Sequence, residues 1–328
     1  MAETKKSFRE EMAEKFIASL EENPKEWKCN WSLASKPINA VTGRAYNGIN
    51  TLALSFEANE KGYKEPRWAT FKQIEQNGWH LEKGSKGSKV EYFFIFDQQA
   101  KKAVSWQDWN RMTVEQRKIS YIDENGFEKE RYVLRSKIFT VFNADCIKGI
   151  SPYNVEHNDI EPSEVVNAVA KGMSINIIEG KYEDKAYYSP IKDEIHLPER
   201  TRFKSDYDYC CTALHELGHA TGHPSRLNRE MEGFFGTEKY AKEELVAEIT
   251  SCFMGEYVDA PITNEHFENH AAYIQNWATA IRDNKNYLFT AIKQAEMAAD
   301  YMVEHGHLHN LKQDVSHEKE ITAEEFEI

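Results

Sequence analysis

The feature that most constrains this chain is a pair of histidines four residues apart, His215 and His219, with Glu216 directly after the first. Residues 207–220 have helical periodicity, so both imidazoles project from one helix face, one turn apart. Two imidazoles in that arrangement can bind one tetrahedral metal ion, and Glu216 then lies beside the ion without binding it. The spacing predicts one Zn2+ per chain, with Glu216 as the general base that takes a proton from the attacking water.

A zinc site of this kind needs a third protein ligand. The metzincin pattern would place a histidine where this chain has Ser225, so that pattern fails. A better candidate is a downstream helical run in which Glu244 and Glu248 share a face. We predict Glu244 as the metal ligand and Glu248 as the acceptor of a ligand imidazole N–H. Glu243 and His223 remain alternatives for the third ligand.

The ligand types also bear on the reaction. Paired histidines suit a single zinc ion, whereas nucleases commonly use two hard cations on carboxylates, so peptide hydrolysis is favoured over DNA cleavage. Peptide hydrolysis needs a further donor for the developing oxyanion. Four residues without a selecting motif are candidates for that donor: Tyr187, Arg226, His270 and Tyr273.

Charge and tryptophan content divide the chain unevenly. Residues 1–150 contain 25 Lys and Arg against 21 Asp and Glu, whereas the remainder contains 16 against 33. Six of the seven tryptophans also lie in the first half. This asymmetry predicts two domains with different tasks, and the Pro- and Asn-containing residues 148–163 are the predicted linker.

Periodicity predicts the α+β class for the whole chain. The first domain, residues 1–150, is predicted to be an α+β domain with helices near 5–21, 51–57 and 70–76 and strands at 89–96 and 133–141. The second, residues 151–304, is predicted to be mainly helical with a small sheet: helices near 164–171, 207–220, 241–255, 264–283 and 285–303, and strands near 175–178, 186–188 and 194–197. Residues 305–328 are acidic and weakly patterned, which predicts a flexible tail.

Cysteines and apolar runs indicate the compartment. Five cysteines without a Cys-x-x-Cys pair form neither a disulfide framework nor a cysteine zinc site. No apolar run approaches the roughly 20 residues of a membrane span, and the first residues are charged, unlike a signal peptide. The expectation is a soluble, cytoplasmic protein without a membrane partner.

The first half also has the composition of a groove for single-stranded DNA, in which aromatic rings stack on bases and cations contact phosphates. Because the excess of cations is small, composition permits this partner without establishing it. The candidate DNA-contacting residues are Trp31, Asn39, Tyr46, Asn50, Lys64, Arg67, Trp68, Lys83 and Lys86.

Several segments match a known family. The first half contains PINAVTGRAYNGIN at 37–50, RWATFKQ at 67–73, KGSKG at 83–87 and VFN at 141–143. These segments resemble the N-terminal domain of plasmid antirestriction proteins of the ArdC type. The second half contains HELGHATGH at 215–223 and EELVAE at 243–248. These resemble the zincin-like metallopeptidase domain that accompanies it.

The resemblance implies a single-stranded-DNA-binding first domain, a metallopeptidase-like second domain and a role in protecting incoming mobile DNA from host restriction. It names no protein substrate. Residues 97–135 match the family least, and no function is assigned to them. Two functions therefore compete: a DNA-associated zinc metallopeptidase that acts on an unknown, restriction-related protein, and a non-catalytic DNA-shielding protein whose metal is structural.

Overall fold

The computed structural model describes residues 6–22, 36–153, 160–180, 185–230, 238–258 and 270–311. A sheet-containing N-terminal part is followed by a mainly helical C-terminal part with a smaller sheet. The α+β class predicted from the sequence is therefore confirmed.

The N-terminal part contains short helices around strands that are far apart in sequence. Its helices are α1 (Phe8–Glu22), α2 (Ile49–Lys61), α3 (Phe71–Gln76), α4 (Trp106–Arg111) and α5 (Val114–Arg117). Its strands are β1 (Ile38–Asn39), β2 (Arg67–Thr70), β3 (His80–Leu81), β4 (Ser88–Asp97), β5 (Lys102–Val104), β6 (Ser120–Ile122), β7 (Glu128–Glu130), β8 (Tyr132–Asn143) and β9 (Ile147–Lys148).

The main sheet of this part has the strand order β1-β2-β8-β4-β5. Its longest ladder pairs β4 antiparallel with β8, from Ser88 opposite Val141 to Asp97 opposite Tyr132. Both strands predicted in the first half, at 89–96 and 133–141, lie in this ladder. The intervening residues 98–131 include the separate pair β6–β7, and none of them is buried.

The C-terminal part supplies the helices that were predicted to carry the metal site. Its elements are α6 (Pro162–Gly172), β10 (Asn176–Gly180), β11 (Tyr187–Ser189), β12 (Glu194–Pro198), α7 (Asp206–Ala220), α8 (Glu238–Val258), α9 (His270–Asp283) and α10 (Asn286–His305). Strand β12 pairs in parallel with β10 and antiparallel with β11, which leaves β11 at the sheet edge. None of the described helices combines the length and apolar character needed to span a membrane.

Local sequence signals set the ends of α7. Ser205 caps its N-terminus, because the Ser205 hydroxyl accepts the backbone N–H of Asp208 at 3.1 Å. The helix ends at Ala220, directly before a turn that contains Gly222 and Pro224. The histidine motif therefore occupies the last turns of a buried helix.

One apolar core connects the two parts of the chain. Phe16 and Leu20 of α1 and Leu52 of α2 belong to the same buried cluster as Leu214 of α7 and Leu245 of α8. Residues before the predicted linker therefore help to form the core behind the histidine motif. Of that linker, residues 154–159 lie outside the described part of the chain, as do residues 312–328 of the predicted tail.

Gly218 allows α7 and α8 to approach closely. A Cβ atom at this position would lie 3.4 Å from the Cα atom of Ala247 and 3.4 Å from the Cβ atom of Thr250. One methyl group would fit as an ordinary or slightly tight contact, but a larger side chain would not. The small residue between the two histidines thus sets the distance to the acidic helix.

Replacing Gly218 with valine is expected to push α8 away from α7. Overpacking of this kind destabilises by about 1–3 kcal/mol, and it should also weaken zinc binding because the ligands separate. Gly218→Ala is the matched control and should retain zinc. Chemical denaturation and zinc titration measure both effects, and a valine variant that binds zinc like the wild type would contradict this role.

Candidate metal centre

Both histidines of the motif are buried and face the same way. His215 is 2% exposed and His219 is 8% exposed. Their ring centroids are 4.8 Å apart with an interplanar angle of 81°. The helical spacing read from the sequence therefore places two imidazoles in one enclosed site.

Glu244 of α8 completes the group. Its carboxylate oxygens lie 3.6 Å from His215 Nε2 and 3.5 Å from His219 Nε2. Ligand atoms of a tetrahedral site with bonds of about 2.0–2.2 Å are about 3.3–3.6 Å apart. One potential ligand atom from each residue lies within 4.8 Å of the others. The three side chains therefore converge and could hold a divalent cation.

The two neighbouring glutamates contact the other sides of the imidazoles. Glu248 Oε2 lies 3.4 Å from His215 Nδ1, and Glu243 Oε1 lies 3.4 Å from His219 Nδ1. Such contacts fix the imidazole orientation and leave Nε2 for a metal. Glu248 is thus positioned beside the imidazole of His215, whereas Glu243, an alternative ligand, is positioned beside that of His219.

Arg229 holds Glu243 in place, and sequence reasoning missed it. Its guanidinium donates to both Glu243 oxygens, at 3.0 and 2.5 Å. It also donates to the Gly218 carbonyl at 2.8 Å and to the Thr221 hydroxyl at 2.6 Å. Arg229 therefore connects the end of α7 to α8. No spacing rule identifies such a residue, because it follows an irregular turn.

His223, the other alternative ligand, points into the turn after α7. Its Nδ1 atom lies 2.7 Å from the Ser225 hydroxyl and accepts the Ser225 backbone N–H at 3.2 Å. Within the described chain, the group able to hold a metal consists of His215, His219 and Glu244. The geometry therefore favours Glu244 as the third ligand.

Glu216 is buried beside this group without belonging to it. The backbone N–H of Tyr188, in the edge strand β11, slightly favours the charged form of its carboxylate. Burial raises the pKa of Glu216 above its usual value. A raised pKa lies nearer to pH 7, and a general base exchanges protons most effectively when its pKa is near the working pH.

The ionisable side chains also shift one another's pKa values. Burial opposes the charge of Glu243 and Glu244. The neighbouring histidines nevertheless hold the pKa values of both carboxyl groups below the usual range, and Arg229 also lowers that of Glu243. Burial disfavours the charged form of His219, yet Glu244 and Glu243 raise its pKa to about 9. A metal that binds must therefore displace a proton from His219.

The four candidate oxyanion donors differ in their positions. Arg226 donates to the Ala220 carbonyl at 2.6 Å and is paired with Asp193, so it stabilises the turn after α7. The Tyr187 ring is 43% exposed and stacks on His196 with centroids 4.7 Å apart. The side chains of His270 and Tyr273 lie outside the described part of the structure.

Several residues predicted to contact DNA instead hold the N-terminal fold together. Trp68 is 1% exposed and packs edge-on against Tyr63, so its ring is not available to stack on a base. The Asn50 amide forms two bonds to the Glu91 backbone, at 2.8 and 2.7 Å, beside β4. The Asn39 side-chain oxygen accepts two backbone N–H groups of the following turn.

The remaining DNA candidates are placed differently. Arg67 is paired with Glu65 through two hydrogen bonds, at 2.8 and 2.7 Å. Tyr46 is half-buried, and its hydroxyl lies 3.4 Å from the Asn39 amide. Lys64, Lys83 and Lys86 are exposed, and Trp31 lies outside the described residues. Of these candidates, the exposed lysines remain accessible to a phosphate chain.

Family comparisons agree with this arrangement. A model of a zincin-like metallopeptidase matches residues 164–294, and a model of the N-terminal domain of the anti-restriction factor ArdC matches residues 6–142. The fold and the site therefore define a two-domain protein with a zincin-like metallopeptidase domain.

A solved relative covers nearly the whole chain. The antirestriction protein ArdC from plasmid R388 is 31% identical, and the comparison covers 92% of this chain and 98% of that one. The TM-score is 0.69 for its metal-free structure and 0.68 for its Mn(II)-bound structure. The chain belongs to the ArdC family of antirestriction proteins.

Curated relatives include longer proteins. Two DNA primases TraC of Escherichia coli are 35% and 36% identical over 92% of this chain, which spans only 28% and 20% of their lengths. The uncharacterized protein y4eC of Sinorhizobium fredii is 28% identical, with 92% of each chain covered. The shared unit therefore occurs both within much longer proteins and in one of similar length.

Two adjacent glutamates provide a direct test of the ligand assignment. Glu244→Ala should lower zinc affinity at least about 100-fold, because a ligand is lost, whereas Glu243→Ala should lower it about 10- to 100-fold by releasing His219. Zinc titration against a chelating indicator measures both. A larger loss in the Glu243 variant would reverse the assignment.

Proposed function

We propose that this chain is a single-stranded-DNA-binding antirestriction protein whose second domain hydrolyses peptide bonds with a bound zinc ion. The observation that carries the proposal is the buried convergence of His215, His219 and Glu244 next to Glu216. Membership of the ArdC family supports the DNA-binding and antirestriction parts of the proposal.

Each side chain of the site has a definite task. Zinc, when bound, supplies Lewis acidity and lowers the pKa of water. Glu216 accepts the proton of the attacking water and passes it to the leaving amine. Glu243 and Glu248 hold the imidazoles by their Nδ1 atoms.

The neighbouring sheet edge favours an extended peptide as substrate. Strand β11 pairs with β12 on one side only, and in the described part of the chain no strand covers its other side. Tyr188 of this strand lies close enough to Glu216 for its backbone to affect the pKa of that carboxyl group. An extended peptide can add to such an edge by backbone hydrogen bonds, which would bring its carbonyl groups to the proposed site.

Replacing Glu216 with glutamine tests the catalytic role. The variant should bind zinc and single-stranded DNA like the wild type, because neither a ligand nor the DNA-binding part is changed. Peptide hydrolysis should fall by about 10²- to 10⁴-fold, because the general base is lost. Cleavage of an unfolded, labelled protein such as casein by the zinc-loaded chain measures this, with Glu304→Gln at the exposed end of α10 as the control.

The same variant addresses the alternative function. If the metal only joins α7 to α8 in a DNA-shielding protein, Glu216→Gln should protect transferred DNA from restriction as well as the wild type does. Full protection by the variant, with no detectable proteolysis by either protein, would refute the hydrolase.

DNA binding through phosphates predicts a dependence on salt. The logarithm of the affinity for a single strand should fall linearly with the logarithm of salt, by about 0.7 for each phosphate contact. Lys83→Ala or Lys86→Ala should each reduce this slope by about 0.7. Lys293→Ala, which removes an exposed lysine of α10, should leave the slope unchanged. Anisotropy of a labelled oligonucleotide at several salt concentrations measures the slope, and a salt-independent affinity would contradict phosphate contacts.

A further inference from the structure

A row of exposed and half-buried aromatic side chains lies along the β4–β8 ladder. Tyr92, Phe94 and Phe96 alternate along β4 and therefore share one face of the sheet. Phe139, opposite Val90 on β8, belongs to the same face. We call these four side chains, in the order Phe139, Tyr92, Phe94 and Phe96, the aromatic row. Its successive ring centroids are 6.2, 6.3 and 6.4 Å apart.

Two cations accompany the aromatic row on the same face. Arg135 and Lys137 of β8 lie opposite Phe94 and Tyr92. The Arg135 guanidinium carbon is 4.0 Å from the Phe96 ring centroid, and Lys137 Nζ is 5.2 Å from the Phe139 centroid. Within the described ranges, neither cation forms an ion pair with a carboxylate, so both charges remain available to an anion.

The aromatic row contributes little to the core. The core on this face lies at the other end of the ladder, where Val90 and Val141 pack with Leu54 and Trp68. Tyr92, by contrast, is 52% exposed, and Phe139 is 37% exposed. Exposure of neighbouring aromatic rings to water is unfavourable, and a patch of such rings typically marks a binding surface.

We propose that the aromatic row, with Arg135 and Lys137, is the surface that binds unpaired bases of single-stranded DNA. This rests on the DNA binding proposed above and assigns it to residues that the sequence did not single out. Every base has a face that can stack on an aromatic ring, and the cations can contact the adjacent phosphates.

The ring spacing indicates selectivity for single strands. Successive rings are separated by nearly twice the 3.4 Å rise per nucleotide of a duplex strand. Bases that each lie on one ring therefore cannot remain stacked on each other, as a duplex requires. Four rings correspond to about four nucleotides, one for each ring.

Substitutions that remove the ring but keep apolar volume test this surface. Tyr92→Leu and Phe94→Leu should each weaken binding of a labelled oligothymidine by about 5- to 100-fold in the full-length protein. Phe71→Leu is the matched control, because Phe71 on α3 is 52% exposed, like Tyr92.

Arg135→Gln and Lys137→Gln should each reduce the salt slope by about 0.7. Unfolding midpoints and zinc content establish that the variants are folded.

The possible outcomes separate this surface from DNA binding itself. If the wild type binds oligothymidine and the Tyr92 and Phe94 variants bind it equally well, the proposed surface is wrong while DNA binding stands. If the wild type does not bind, both fail. Equal affinity for a duplex of the same length would contradict base stacking. Light scattering that shows dimers for the wild type and monomers for the variants, with unchanged DNA affinity, would identify a self-association surface instead.

Discussion

The structure depends on a group of ionisable side chains buried between α7 and α8. Buried charges are unfavourable unless each has a compensating partner. Glu243 is compensated by Arg229 and His219, and Glu244 lies between the two motif histidines. With neutral imidazoles, the carboxylates outnumber the single guanidinium. A divalent cation held by the Nε2 atoms would offset this excess of negative charge. Without a metal, protons on the imidazoles would offset it.

The same packing links the proposed hydrolase site to the part of the chain that is proposed to bind DNA. Helix α1 belongs to the N-terminal family domain, yet its apolar face is buried in the core behind α7 and α8. Arg9 of α1 also pairs with Glu91 of β4 and lies over the Phe289 ring of α10. The sheet that carries the aromatic row is thus connected through α1 to α10, which packs against α7 and α8. In the proposed function, this packing keeps hydrolysis close to bound DNA.

Local patterns predicted most of the second half. The histidine spacing and the pair of glutamates one turn apart place their side chains by helix geometry alone, so α7, α8 and the convergence on Glu244 follow from the sequence. Arg229 could not be predicted, because its position depends on how an irregular turn folds back onto α8. Several strands of two to four residues in the first half, such as β1 and β2, were also missed, because their pairing is set by distant segments.

Composition alone did not identify the surface that is proposed here to bind DNA. The tryptophans and polar side chains in loops suggested a DNA-binding groove. A large ring can equally pack in the core or stack on a base, and Trp68 packs in the core. Tyr92, Phe94 and Phe96 lie in a continuous apolar run with Phe93 and Ile95. That run predicts a strand but conceals which face is exposed.

The central claim is that two imidazoles and one carboxylate bind a single metal ion. X-ray absorption spectroscopy of the zinc-loaded protein measures this most directly. The account predicts two imidazole nitrogens and carboxylate oxygen at about 2.0–2.2 Å, in a four-coordinate site. A spectrum without imidazole scattering, or with sulfur at about 2.3 Å, would contradict it.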